Sequence, residues 1–477
     1  MYLGIDLGTS GVKALLMDEV QRIVGSATES LTVQRPASGW SEQDPDAWIA
    51  AADRAVSRIA REHGLSRLRG IGLSGQMHGA VTLDADDRVL RPAILWNDTR
   101  AHAEAAALDA DPVMRRLSGN IVFPGFTAPK LVWMAEHEPD LHARVARVLL
   151  PKDFLRLWLT GEHVSEMSDA SGTAWLDVAR RDWSDDLLAA SGMRRDQMPA
   201  LVEGSERSGM LRDALAREWG VEGPVTVAGG AGDNAATAIG AGTVSGGQGF
   251  VSLGTSGVLF AATDRFLPAP ETAVHAFCHA APGMWHHMGV MLQAAAAIEW
   301  LAGITGTPAA TLTADLGPQS APGPEIFLPY LSGERTPHND AQVRGLFAGL
   351  GAGSDRAAMT RAVLDGVAFA LADNLHALRQ AGAGPDALLA LGGGARSDYW
   401  LRSIANALDL PVLLPEGGDF GAAFGAARLG LMADTGAGTE ICTTPAIASE
   451  IAPDPALVPA YSEGLARFRA LYPAARS

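Results

Sequence analysis

The sequence predicts an α/β protein made of two related domains, and three observations carry that prediction. The hexapeptide LGTSGV occurs twice, as IDLGTSGVK from Ile5 to Lys13 and as VSLGTSGVL from Val251 to Leu259. Each copy lies between short β-prone apolar runs, so each reads as a β-hairpin opening the core sheet of its own half. At 477 residues the chain is also too long for one compact core. The glycine-rich stretch IGAGTVSGGQG marks the join near residues 239–249, giving domains 1–243 and 244–477.

The other elements follow from local pattern. DPDAWIAAADRAVSRIA reads as a helix with Asp44 as N-cap and Pro45 in the first turn. LRGIGLSG and RPAILWND read as strands ending in polar loops, with LDADDRV as a hairpin turn. Met359, Val363, Val367, Leu371, Leu375 and Leu378 form one helical stripe. GPQSAPGPE, residues 317–325, reads as loop. Residues 443–459 read as irregular chain before a terminal helix around SEGLARFRALY. GVMLQAAAAIEWLAGI carries Gln293 and Glu299 and reads as a buried helix, not a membrane span.

Composition narrows the function. A formal net charge of −17 argues against nucleic acid and anionic membranes as partners. Cys278 and Cys442 are too few for a disulfide framework or a cysteine zinc site. Asp6 interrupts the first apolar run, so no secretory leader is read there. A cytoplasmic protein is the expectation.

A Gly/Thr/Ser turn crowds backbone N–H groups and hydroxyls into a concavity that binds phosphate oxygens. Two such nests across a cleft could hold different phosphates of one nucleotide: Thr9 and Ser10 in the first, Gly254, Thr255 and Ser256 in the second. Only the first copy is preceded by a carboxylate. Asp6 beside a phosphate nest calls for a cation between them, and Mg²⁺ prefers oxygen ligands. Ser252 holds the same place in the second copy and cannot do this. Lys13, one of three lysines in the chain, could reach a phosphate or could be a solvated strand-end residue. ALLALGGGARSDYW reads as strand, glycine turn and helix, with Gly393, Gly394 and Ser397 suited to the nucleoside end or α-phosphate.

No Walker A motif occurs, and DFG at Asp419–Gly421 lacks an accompanying HRD loop. His286 and His287 read as structural. In VTVAGGAGDNAATAIGAG, Asp233 and Asn234 follow a strand and open a small-residue helix. Asp233 is either a helix N-cap or a general base at the cleft floor. SGQMHG and LWNDTR follow strands and gather Met77, His78, Trp96, Asn97 and Asp98, groups suited to a small polyhydroxylated acceptor or to ordinary polar loops.

Taken together, the duplicated LGTSG nests, GQMHG, WNDTR, GFTAPKLVWMAEH, AGGAGDNAA, LPYLSGERTPH and LGGGARSDYW resemble the FGGY carbohydrate kinases from residue 1 to beyond residue 430. The resemblance implies the two-domain actin/Hsp70/hexokinase-like architecture, each domain carrying a ribonuclease-H-like core, with a central interdomain cleft. It implies ATP-dependent phosphorylation of the O5 hydroxyl of D-xylulose. It makes Asp233 the base, places Asp6 near metal and phosphates, and puts Met77, His78 and Asn234 on the sugar. It also implies that Thr255, Gly393, Gly394 and Ser397 contact ATP. A homodimer rests on the resemblance alone. Lys130 and the Gly333–Pro337 segment carry no role on sequence grounds. Ala358 departs from the family signature, which usually has an acidic or amide residue there. Two kinds of alternative remain open. One is another ketose, a deoxy-sugar or a polyol as acceptor. The other is an acceptor-free ATPase switch or a non-catalytic sugar sensor.

Overall fold

The structure is a computed structural model that describes residues 1–314, 316–417 and 420–476. Asp419 of the DFG tripeptide lies outside the described residues.

The two LGTSGV hairpins each seed a seven-stranded sheet, and the sheets share one plan. In the first, β1 (Tyr2–Leu7) and β2 (Gly11–Met17) form the hairpin and β3 (Ile23–Ser30) continues it antiparallel. On its other side β1 pairs in parallel with β4 (Gly70–Gly75). Then come β5 (Arg207–Met210), β6 (Thr226–Ala228) and the short β7 (Ala231–Gly232), in the order β5-β6-β4-β1-β2-β3 with β7 also on β4. The second sheet is built from β8 (Gln248–Leu253), β9 (Gly257–Thr263), β10 (His275–Cys278), β11 (Trp285–Met291), β12 (Ala387–Leu391), β13 (Val412–Pro415) and β14 (Ile447–Ile451). Its order is β10-β11-β9-β8-β12-β13-β14. The triplet β3-β2-β1 followed by parallel β4 and β6 matches β11-β9-β8 followed by parallel β12 and β13. All strands of one sheet precede residue 233 and all strands of the other follow residue 247. This duplication is the actin/hexokinase-like architecture.

Helices follow their sequence signals. In α1 (Pro45–His63), Asp44 accepts from the Asp46 N–H, and Trp48, Ala52, Val56 and Ile59 are buried against the first sheet. α2 spans Thr127–His137 and α3 Asp233–Ala241. α4 (Ala295–Thr305) begins later than the apolar stretch suggests, because Gly289–Met291 belong to β11. Its outer face is also open, with Ile304 exposed. Of the long stripe in α5 (Arg356–Gln380), all positions but Met359 are buried. Ala358 sits in its first turn, where its N–H donates to Asp355. α6 (Asp398–Leu408), α7 (Ala422–Thr435) and α8 (Val458–Ala475) complete the chain. Residues 443–459 are not wholly irregular, since Ile447–Ile451 pairs with β13 as an edge strand. Among the described residues no helix is long and apolar enough to cross a membrane.

Several contacts cross the halves, and those of α7 bear most directly on the site. α7 packs on α3 and against β1 and β4 of the first sheet. It approaches backbone to backbone, so a Cβ on Gly4, Gly72 or Gly425 would run into the carbonyl oxygens of Ala423, Ala426 and Ala236 respectively. From α7 the buried Arg428 donates to the Ile239 and Gly240 carbonyls at the C-terminal end of α3, at 2.9 and 3.2 Å. That satisfies orphan carbonyls and complements the helix dipole.

Because the obstacle is backbone and cannot rotate away, Gly72→Ala should destabilise by about 3 kcal/mol or more. Thermal unfolding should show a midpoint lowered by about 5 °C or more. Gly303→Ala in α4 meets no atom within 4 Å, and should leave the midpoint unchanged or raise it. A Gly72→Ala midpoint equal to wild type would contradict the close approach.

Candidate active site

The strands of the first sheet end in register. Asp6 lies opposite Ser74 on β4 and opposite Lys13 on β2, and Gly75 pairs with both Leu7 and Gly232. The residues that follow β1, β4 and β7 therefore emerge together at the carboxyl end of the parallel strands, where ligands bind in open α/β sheets. This alignment gathers the first nest, Gln76–Gly79 and Asp233.

Asp233 is the first residue of α3. Its cap position is Gly232, so the N-cap alternative does not hold. Its Oδ1 accepts from the backbone N–H and side-chain Nδ2 of Asn234, at 2.7 and 2.9 Å. Both bonds fall on Oδ1 and neither on Oδ2. Burial, and then the charge of Asp6, push the Asp233 carboxyl up to about 6. The turn that delivers it is held from behind. Arg156, fully buried, donates to the carbonyls of Ala228 and Gly229, and the Gly232 N–H donates to Ser168 Oγ at 3.1 Å.

Asp6 is half-buried, and burial also raises its pKa. Its Oδ1 is shielded from solvent and has no hydrogen-bond partner. Lys13 interacts with it by charge, and burial lowers the lysine pKa. Thr9 Oγ1 donates to Gln76 Oε1 at 2.8 Å and accepts from Trp96 Nε1 at 3.0 Å, while Ser10 is exposed at the tip. The identical second hairpin is tethered differently. Its turn closes one residue tighter, with Leu253 opposite Gly257 where the first has Leu7 opposite Val12. The Gly254 and Thr255 carbonyls accept from the N–H groups of Ala294, Ala295 and Ala296, leaving Thr255 exposed and Ser256 half-exposed. Ser252, in Asp6's place, lies opposite Val258 and Leu391. Beyond β12, Gly392 takes φ +86°, Gly393 is exposed and Gly394 half-buried, and Ser397 caps α6 by accepting from the Trp400 N–H.

The acceptor loop is built to hold two residues. Met77 packs so closely on Gly232, beside Asp233, that a Cβ there would strike its side chain. His78 takes φ +71°, a left-handed conformation that a non-glycine residue adopts only when held. Its carbonyl accepts from Lys130 Nζ at 2.7 Å and Thr127 Oγ1 at 3.1 Å, and its ring stacks on Phe126 at 4.8 Å. Nδ1 lies 2.7 Å from the Gly172 carbonyl and so carries the proton. Burial drives the imidazole pKa down to about 3, so the ring is neutral and Nε2 can only accept. Lys130, which the sequence left without a role, holds this loop in place. It donates to the carbonyls of His78 and, at 2.8 Å, Gly125 from a fully buried position.

Trp96 is 42% exposed beside the first nest, and Asn97 Oδ1 is buried without a partner. Asp98, expected on the sugar, is buried and turned inward. Arg100 takes both its oxygens by side chain and donates to Oδ1 by its N–H, and the Ser41 N–H adds a fourth bond, so it braces the loop from inside. Gln76 is an unforeseen member, linking Thr9 to Gln43.

Comparison with known proteins agrees with this geometry. Residues 1–240 match the N-terminal domain of the FGGY family of carbohydrate kinases and residues 249–433 its C-terminal domain. The chain is 50% identical over 478 residues to the xylulose kinase of Escherichia coli strain K12, covering 99% of this chain and 98% of that one. With the Klebsiella pneumoniae xylulose kinase it shares 52% over 433 residues, 90% of this chain and 89% of the other. The crystal structure of a xyloylose kinase from Brucella ovis superposes with a TM-score of 0.98 at 61% identity, covering 99% of both chains. On both family domains, the matching sheets and the shared sequence, the chain belongs to the FGGY family of carbohydrate kinases.

Proposed function

We propose that this chain transfers the γ-phosphoryl group of ATP to the O5 hydroxyl of D-xylulose, with residues 1–243 and 244–477 as the domains that close on the two substrates. The observation that carries the chemistry is Asp233 at the head of α3, one oxygen held by Asn234 and the other open, beside Met77 and Asp6. The choice of acceptor follows the curated relatives, which are xylulose kinases at 50–52% identity.

In this reading Met77 and His78 seat the sugar, His78 by accepting a hydroxyl proton at Nε2, while Trp96 and Asn97 flank the nest side. Asp233 Oδ2 takes the proton of the acceptor hydroxyl. The hydroxyl oxygen bonds to the γ-phosphorus as the bond from that phosphorus to the β,γ-bridging oxygen breaks, its proton passing to Asp233 as the new bond forms, and ADP leaves with the electron pair. Proton removal comes late in such transfers, so a modest base suffices. Thr9, Ser10 and Lys13 on one side and Gly254, Thr255 and Ser256 on the other hold the phosphates, with Gly393, Gly394 and Ser397 towards the nucleoside. A divalent cation fits at Asp6: a buried carboxylate oxygen without a donor, next to a second carboxylate, suits a hard oxygen-seeking ion. Mg²⁺ bound there would neutralise phosphate charge.

Asp233→Ala should lower turnover by about 10³-fold or more in a coupled ADP-release assay, with ATP binding by calorimetry retained. Turnover within tenfold of wild type would remove Asp233 from its role. Because only the carboxylate can accept a proton, kcat/KM for the acceptor should fall as pH drops through about 6. Asp6→Asn should raise the Mg²⁺ concentration needed for half-maximal turnover, because it removes the carboxylate charge proposed to hold the ion. An unchanged Mg²⁺ requirement would remove Asp6 from the metal role. Across a panel of ketoses and polyols with a no-acceptor control, D-xylulose should give the highest kcat/KM. ADP release independent of any acceptor would favour an ATPase instead.

A further inference from the structure

The Leu331–Asp340 loop of the second half presents a guanidinium that the site described so far does not use. Glu334 is committed to backbone, its Oε1 accepting from the N–H groups of Leu292 at 3.0 Å and Arg335 at 2.7 Å. The Arg335 side chain has no hydrogen-bond acceptor among the described residues; it lies over the face of Phe123, 4.0 Å from the ring centroid. Burial brings its pKa down only to about 10, so it stays charged. The side chain is half-buried over this apolar wall and has no protein acceptor, so its donors are left to solvent or to a ligand that displaces it.

Its position indicates what accepts. Phe123 meets Phe126 edge-on at 5.5 Å and His275 at 5.1 Å, and Phe126 carries the stacked ring of His78. The charge of Arg335 acts on both His78 and His275. From Asp233 the line therefore runs through Met77 and His78 to Arg335, which stands at its far end. The loop also lies along β11, where the Thr336 N–H donates to the Val290 carbonyl at 3.0 Å. β11 flanks the phosphate hairpin on the side away from β12, whose following turn carries the nucleoside-side glycines. The guanidinium thus belongs with the acceptor and not with the nucleotide.

We propose that Arg335 is an acceptor-binding residue supplied by the C-terminal half, an assignment that rests on the kinase reading above. Its fork donates to oxygens at the end of the sugar remote from the phosphorylated carbon. In a ketose these are the terminal hydroxyl and the neighbouring carbonyl, which suit two parallel N–H donors. A site that hydrogen-bonds a hydroxyl discriminates against an analogue lacking it. Arg335 also ties acceptor binding to domain closure, because it lies over Phe123 of the N-terminal half from a loop of the other half.

The test is run with whichever acceptor the wild type turns over fastest, so that failure of D-xylulose as substrate and failure of Arg335 as ligand are told apart. Arg335→Met keeps a stem over Phe123 and removes the donors; Arg335→Lys keeps charge without the fork. Acceptor KM should rise about tenfold or more in Arg335→Met and less in Arg335→Lys. ADP affinity by calorimetry should stay within twofold of wild type, which also reports folding. The analogue lacking the remote terminal hydroxyl should be penalised by wild type and treated like the parent by Arg335→Met. Three results would overturn the proposal: an acceptor KM within twofold of wild type in both variants, a parallel loss of ADP affinity, or loss of kcat at unchanged KM.

Discussion

The seam between α3 and α7 is the constraint on which the site depends. Arg428 holds the C-terminal carbonyls of α3, and Gly425 lets the two helix backbones touch. Gly4 and Gly72 bring the same α7 onto the central strands of the first sheet. One helix of the second half thus fixes both the strand that carries Asp6 and the helix that begins at Asp233. Side chains at these crossings would push the two carboxylates apart, and the mutual field that raises Asp233 would weaken. Small residues here set a distance, which is a chemical role carried out through packing.

Duplication supplied two equivalent nests, and their surroundings made them different. The first is laced to side chains, with Thr9 between Gln76 and Trp96 and a carboxylate one strand position behind. The second is laced to backbone, its carbonyls facing the first N–H groups of α4. With Asp6 between Ser74 and Lys13, and Ser252 between Leu391 and Val258, one hairpin suits ion and proton chemistry while the other suits grip. The unequal register of two identical hexapeptides shows that partners, not the turn sequence, decide the final geometry.

Much of this was legible in the sequence because it is local. The hairpins, the Asp44 and Ser397 caps and the glycine turn before Asp233 follow from turn and capping chemistry over a few residues. The parts that escaped are long-range. Nothing near Asp98 foretold that Ser41, 57 positions earlier, would close over it, and nothing in residues 443–459 announced that β13 had a free edge for Ile447–Ile451. The small residues of α7 were visible, but their partners lie more than three hundred positions away in β1 and β4. Lys130 carried no role on sequence grounds, and the left-handed turn at His78, whose carbonyl it holds, shows what it does.

The central claim is that two nests from two halves hold one nucleotide while Asp233 addresses the acceptor hydroxyl. A crystal structure with D-xylulose, Mg²⁺ and a non-hydrolysable ATP analogue tests it most directly. The account predicts Asp233 Oδ2 within about 3 Å of O5, phosphate oxygens on the N–H groups of both Gly8–Gly11 and Gly254–Ser256, and the metal on the Asp6 side. An O5 directed at another side chain, or a nucleotide touching only one nest, would contradict it.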